Sequence, residues 1–167
     1  MKNSIEFDIK PDWNAIEKVR NQSTDFLQSH GISDDAVHSL SMIISELIEN
    51  GIKYGNFENL DRRISVSLNI DDNNVTIEVN NPVDHKAVTH LSRLDKTIQW
   101  IRGYQDPFEA YINRIKEVSK KPLQDEESGI GLVRIAYEGK ALLDFFVGEN
   151  DTLNVSVISN LEWEEKK

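Results

Sequence analysis

Residues 41–55, SMIISELIENGIKYG, carry a broad apolar stripe and a compact polar stripe on one stretch, and that combination narrows what the chain can become. On a helix turning about 100° per residue, Leu40, Ile44, Leu47 and Ile48 fall on one side. A face of that width has to be covered by a sheet or by other helices. Glu46, Asn50 and Lys53 fall together on its flank rather than opposite it. An acid, an amide and a cation spaced by four and three residues beside a core face can all reach one ligand at the edge of the core. A merely solvated stripe, the plainer reading of a Glu and a Lys seven apart, belongs further round the helix. Gly51 falls in the middle of the apolar face, where glycine costs about 1 kcal/mol relative to alanine. Its placement predicts the close approach of a neighbouring backbone.

Such a helix needs a core to lie on, and 167 residues supply one domain with a full core but cramp a second. With 38% hydrophobic and 29% charged residues the composition is that of a folding domain, not a disordered one. The formal net charge of -10 opposes broad attraction to phosphate backbones or anionic lipid, so nucleic acid and membrane are not expected partners. A few local donors or a bound Mg²⁺ ion override a global field, so a nucleotide site stays open. The chain has no cysteine, which excludes disulfides and thiolate metal sites. The opening MKNSIEFDIK lacks an apolar export core, and no apolar run approaches the roughly 20 residues that span a bilayer. A cytoplasmic protein is expected.

Periodicity places the remaining elements. Residues 4–9 alternate, with Ile5, Phe7 and Ile9 on one face, and Pro11 follows, which predicts an edge strand. A first amphipathic helix spans 12–29, with Trp13, Ile16, Val19, Phe26 and Leu27 recurring, Asp12 placed to cap and Gly31 to terminate. The central helix is expected to start after Ser33, with Asp34 and Asp35 suiting its positive end, and to stop near Tyr54 at Gly55 and Asn56. Residues 63–70 and 75–79 alternate strictly about Asp71, Asp72, Asn73 and Asn74, a hairpin. Asn80, Asn81 and Pro82 are expected to end the second strand. Residues 83–120 read as two or three helical pieces broken near Gly103 and Pro107, and 121–128 as a polar lid that runs into Gly129, Ile130, Gly131 and Leu132. A helix to about Glu138 and a second hairpin, 141–147 with 153–158, complete a domain over 1–160; 161–167 is a charged tail.

SELIENGIKYG resembles the N-box of the GHKL superfamily of ATPases and kinases, and SGIGL resembles the glycine box that follows the ATP lid there. The order strand, helix, N-box helix, hairpin, lid, glycine box, helix, hairpin is similar over nearly the whole chain. The resemblance implies an α+β fold of the Bergerat type: a two-layer sandwich with a mixed, mainly antiparallel sheet and helices on one face. It implies ATP and Mg²⁺ as ligands. Within the superfamily the short layout is most similar to bacterial anti-sigma regulatory serine kinases, which phosphorylate STAS-domain partners. The helical insert and lid over 83–128 are closer to a related branch of switch kinases. Dimers are frequent in the superfamily.

By that resemblance Glu46 is the catalytic carboxylate, able to orient or deprotonate an attacking hydroxyl. Asn50 offers a neutral oxygen to Mg²⁺, and Lys53 a cation to the phosphates. Gly129 and Gly131 let backbone amides approach phosphates at a helix start. One position departs from the pattern. The family has an Asp-x-Gly-x-Gly box whose aspartate accepts a hydrogen bond from the adenine amino group, whereas here Asn81 stands at that place and no glycine follows. Asn81 or, with a displaced loop, Asp84 is the implied acceptor. The alternative is a non-catalytic interaction module that keeps the fold without productive ATP use; a small-molecule hydrolase ranks behind both. His30, His38, His85 and His90 show no metal-ligand spacing and read as surface residues. Trp100, Tyr104, Phe108 and Tyr111 recur at helical spacing, more often packing than ligand stacking.

Overall fold

Two capped helices and five strands follow one another as β1 (Ser4–Ile9), α1 (Trp13–Ser29), α2 (Asp34–Tyr54), β2 (Ile64–Asp71), β3 (Asn74–Pro82), β4 (Ala141–Gly148) and β5 (Thr152–Asn160). They belong to a computed structural model that describes residues 2–55, 57, 63–83, 96, 98–100, 141–148 and 151–161.

Local chemistry sets the helix ends. The Asp12 carboxylate accepts from the Asn14 N–H at 2.9 Å and the Ser33 hydroxyl from the Ala36 N–H at 3.2 Å, satisfying amides that have no partner inside a first turn. Asp34 and Asp35 add negative charge at the positive end of α2. α1 ends on Gly31 at φ 76, with the Gly31 N–H donating to Gln28 O and the Ile32 N–H to Leu27 O. That is a glycine in the left-handed region closing a helix with paired reverse bonds. Gly55 ends α2 for a different reason, since its φ of -74 is open to any residue. A Cβ there would lie 2.5 Å from the Phe57 ring and 2.6 Å from Gly51 O, so the position is kept bare by packing.

The sheet order is β1-β2-β3-β5-β4, and every described pairing is antiparallel. β1 lies at an edge, as its sequence predicts. Its inward residues Ile5, Phe7 and Ile9 pair with Leu68, Val66 and Ile64 of β2. The β2–β3 turn places Asp72 at φ 45, a conformation that Asp and Asn tolerate better than most residues. β5 inserts between β3 and β4, so these two run in the same direction with one strand between them. The chain therefore leaves β3 at one end of the sheet and rejoins β4 at the other.

One face of the sheet is apolar along all of its central strands: Ile64, Val66 and Leu68, then Val75, Ile77 and Val79, then Leu153, Val155 and Val157 are buried. α1 and α2 cover that face, adding Ile16, Val19 and Leu27 from one helix and Leu40, Ile44, Leu47 and Ile48 from the other. The core is thus a single layer of side chains between helices and sheet. Residues 98–100 are helical, within the expected helical insert, and Ile98 joins the core at 2% exposure with Trp100 packed against it. No described helix is long and apolar enough to cross a membrane.

Two expectations are corrected. Asn80, Asn81 and Pro82 do not form a turn; they continue β3 and pair with Asn154, Leu153 and Thr152. The reason is β5, which supplies a partner ladder beyond Val79, and proline is acceptable because it takes the last position of the strand. His30 is not a free surface residue either: it is half-buried at the end of α1, with Nδ1 2.8 Å from Phe26 O and Nε2 2.8 Å from Lys2 O. His38 is exposed.

Candidate functional site

The C-terminal half of α2 crosses the sheet at the end where β2 begins and β3 finishes. Leu40, Ile44, Leu47 and Ile48 are buried along α2, and this fixes the rotation of the helix about its axis. Glu46 and Asn50, one turn apart, come out half-buried on the flank of the buried face, while Lys53 is exposed on the last turn. The rotation that buries four aliphatic side chains thereby brings the acid and the amide to the edge of the core and leaves the cation in solvent.

The strand contributes its last inward position. β3 alternates Val75, Ile77, Val79 and Asn81 toward the helices, so the residue that follows three buried aliphatics on the same face is an amide. Asn81 is 3% exposed, and its Nδ2 donates to Pro82 O over 3.4 Å. Above it lies Gly51: a Cβ at that position would meet Asn81 Oδ1 at 3.4 Å, Asn81 Cγ at 3.6 Å and Ile64 Cδ1 at 3.6 Å. The expected approach of a neighbouring backbone at Gly51 is therefore replaced by the approach of a side chain. The side-chain group that comes nearest the bare position is the amide of Asn81.

Gly51 directly follows Asn50, and Glu46 lies one turn before Asn50 on α2, so Asn81 meets the helix along the same stretch that carries these two residues. Strand pairing holds the floor of this region. Asn81 is opposite Leu153, Pro82 is opposite Thr152, and the Val83 N–H donates to Asp151 O at 2.8 Å just past the ladder. On the other face of the sheet Asn154 Nδ2 donates to Asn80 Oδ1 at 2.8 Å, a side-chain bond across the same pair of strands. Asn154 is 6% exposed and its Oδ1 has no hydrogen-bond partner among the described residues.

Four of the sequence-derived candidates, Glu46, Asn50, Lys53 and Asn81, lie in the described residues; the contact seen there is that of Asn81 with Gly51, the residue after Asn50. Gly129, Gly131, Asp84 and the lid lie outside them. Sequence reasoning missed the part played by Gly51. The period-two run Val75, Ile77, Val79, Asn81 would have revealed that Asn81 faces the helices, had it been followed past Val79. The Asn80–Asn154 bond has no sequence signal, because it joins residues 74 positions apart.

Comparison with known proteins adds family and fold. The family model described as the histidine kinase-like ATPase domain matches residues 9–136. Among solved structures, a chain in the crystal structure of the SiaB-SiaC complex from Pseudomonas aeruginosa superposes with a TM-score of 0.71 at 17% sequence identity, covering 92% of this chain and 88% of that one. No curated protein sequence matches.

Proposed function

Because the chain belongs to the histidine kinase-like ATPase family, we propose that it is a cytoplasmic regulatory protein that binds ATP with Mg²⁺ and transfers phosphate to a serine or threonine of a STAS-type partner, so that binding of the partner is switched by its phosphorylation. The observation that carries this reading is the convergence of buried Asn81 on α2 at Gly51, one residue past Asn50. A buried amide facing a bare helix position is a place where a ligand group can be hydrogen-bonded away from water. The solved complex with the same fold supports a protein partner by analogy.

The residues present fit these ligands. Asn50, half-buried, would offer Mg²⁺ a hard carbonyl oxygen of the kind that ion takes as a ligand. When bound, the ion would supply positive charge against that which builds on the transferring phosphoryl group. Lys53, exposed at the helix end, is free to reach phosphate oxygens. By the resemblance, Gly129 and Gly131 would offer backbone amides to the phosphates. Glu46, one turn before Asn50, takes the proton of the attacking hydroxyl. The hydroxyl oxygen bonds to the γ-phosphorus as the bond to the bridging oxygen breaks, and ADP departs with that electron pair.

The test is phosphotransfer from labelled ATP to a STAS-domain partner, beside calorimetry of nucleotide binding. Glu46→Ala is expected to reduce transfer by at least about a hundredfold, the lower end for loss of a general base, while nucleotide affinity stays within a few-fold. Asn50→Ala is expected to remove the Mg²⁺ dependence of binding. A Glu46→Ala protein as active as its parent would sink the catalytic assignment. Asn81 itself favours a second reading, the non-catalytic interaction module, since a neutral acceptor makes a weaker bond than an ionised one. That reading expects no heat and no thermal shift at millimolar Mg·ATP.

A further inference from the structure

We propose that the sheet face turned away from α1 and α2 docks a basic amphipathic helix of a partner protein, one that carries Lys or Arg at every seventh residue. The proposal does not depend on the nucleotide reading, which concerns the helix-covered face.

Strand register supplies the pattern. Ser67 of β2 is opposite both Glu6 of β1 and Glu78 of β3, and Ser156 of β5 is opposite both Glu78 and Asp144 of β4. One straight row therefore crosses all five strands as acid, serine, acid, serine, acid. Its members alternate with the buried aliphatics of their strands, and Glu6 and Asp144 are exposed while the middle three are half-buried. Asp8 and Asp71 add carboxylates to the same face, and no described strand contains Lys or Arg. Among the described residues no three His, Asp or Glu side chains gather to hold a metal ion, so the row calls for several cations in line.

The spacing selects a helix. Strands about 4.8 Å apart put successive carboxylates of the row about 9.6 Å apart. Seven residues of an α-helix rise about 10.5 Å and return to nearly the same side, so a helix laid across the strands keeps step with the acids. An extended chain fits worse, because its same-side positions fall about 6.8 or 13.6 Å apart.

Two further observations point to such a partner. Leu142 and Ile158, opposite each other in the next row, are 76% and 43% exposed, an apolar pair beside Asp144. An amphipathic helix can cover it with an apolar residue three or four positions from a basic one. On the other side of the row Asn154 is 6% exposed, with Nδ2 donating to Asn80 Oδ1 and with Oδ1 lacking a donor among the described residues. Carboxylates and this amide oxygen all accept, and Lys and Arg side chains only donate. A second copy of the chain is a poor occupant, since it would set acids against acids.

Fluorescence anisotropy with the full chain tests this, using a stapled helical peptide of three heptads with Lys at every seventh position and one Leu four residues from the last Lys. A control peptide of the same composition spreads its lysines round the helix. At low salt the first peptide is expected to bind at least about tenfold tighter than the control, and to weaken as salt rises. Glu6→Gln, Glu78→Gln and Asp144→Asn together should weaken it by about tenfold, some two- to threefold for each exposed pair lost. Reversing the same three residues to Lys should transfer binding to a peptide with Glu in place of Lys. Equal binding of the two peptides by the parent, or no binding at about millimolar peptide, overturns the proposal. So does a triple amide variant that is folded by circular dichroism and binds as the parent does. Sedimentation that shows a parent dimer abolished in the triple amide variant overturns it too, because a second copy then occupies the face.

Discussion

Ser23 is wholly buried on α1 with no hydrogen-bond partner for its Oγ among the described residues, whereas its neighbour Thr24 shares a bond with Ser41 of α2 at 3.2 Å. A buried unpaired hydroxyl carries its desolvation cost without return. Ser23→Ala should therefore stabilise the protein by about 1 kcal/mol, raising the melting temperature by roughly 2–4 °C in a chain of this size; a scanning thermal melt checks it, and a lower midpoint contradicts it. His30 shows why such residues were hidden in the sequence. Its two ring nitrogens lie against Phe26 O, one turn away on the same helix, and Lys2 O, 28 residues away. A local reading sees a polar residue at a helix end and takes it as exposed. Only the chain ahead of β1, brought beside the end of α1, supplies the second carbonyl.

Elements were legible where the partner is near in sequence. Asp12 and Ser33 cap amides two and three residues on, and the left-handed Gly31 answers carbonyls of its own last turn, so those helix limits follow from composition at fixed offsets. The glycines of α2 were legible as unusual but not in their purpose, because their neighbours come from other parts of the fold. They separate experimentally. Gly55→Ala would thrust a Cβ to 2.5 Å from the Phe57 ring and 2.6 Å from Gly51 O, and should cost about 1–3 kcal/mol as overpacking. Gly51→Ala meets Asn81 only at 3.4 Å, ordinary contact, and gains up to about 1 kcal/mol of helix propensity. Urea unfolding should show a lowered midpoint for the first and an unchanged or raised one for the second. Loss of stability at Gly51 as large as at Gly55 would mean that Asn81 cannot yield. β3 makes the same point: its alternation was visible to Val79, but its last three residues needed β5 to become strand.

At the scale of the whole molecule, the helices and the end of the sheet form one body, and a ligand bound between them stabilises all of it. With Mg·ATP at a hundred times its dissociation constant, linkage adds about 2.7 kcal/mol, a rise in melting temperature of roughly 5–10 °C. Dye-monitored melts with Mg·ATP, and again after chelation of the ion, should show that rise and its loss. No shift at millimolar nucleotide contradicts the proposed binding. The sequence by itself determined the number, type and inward face of the described strands and the two long helices, because period and capping act over a few residues. It also determined that Glu46, Asn50 and Lys53 share one flank of a helix. What only the tertiary structure decided is that β5 lies between β3 and β4, and that Asn81 ends beneath Gly51. Strand order and the meeting of a helix glycine with a strand amide depend on which distant surfaces exclude water together, and no short-range pattern encodes that choice.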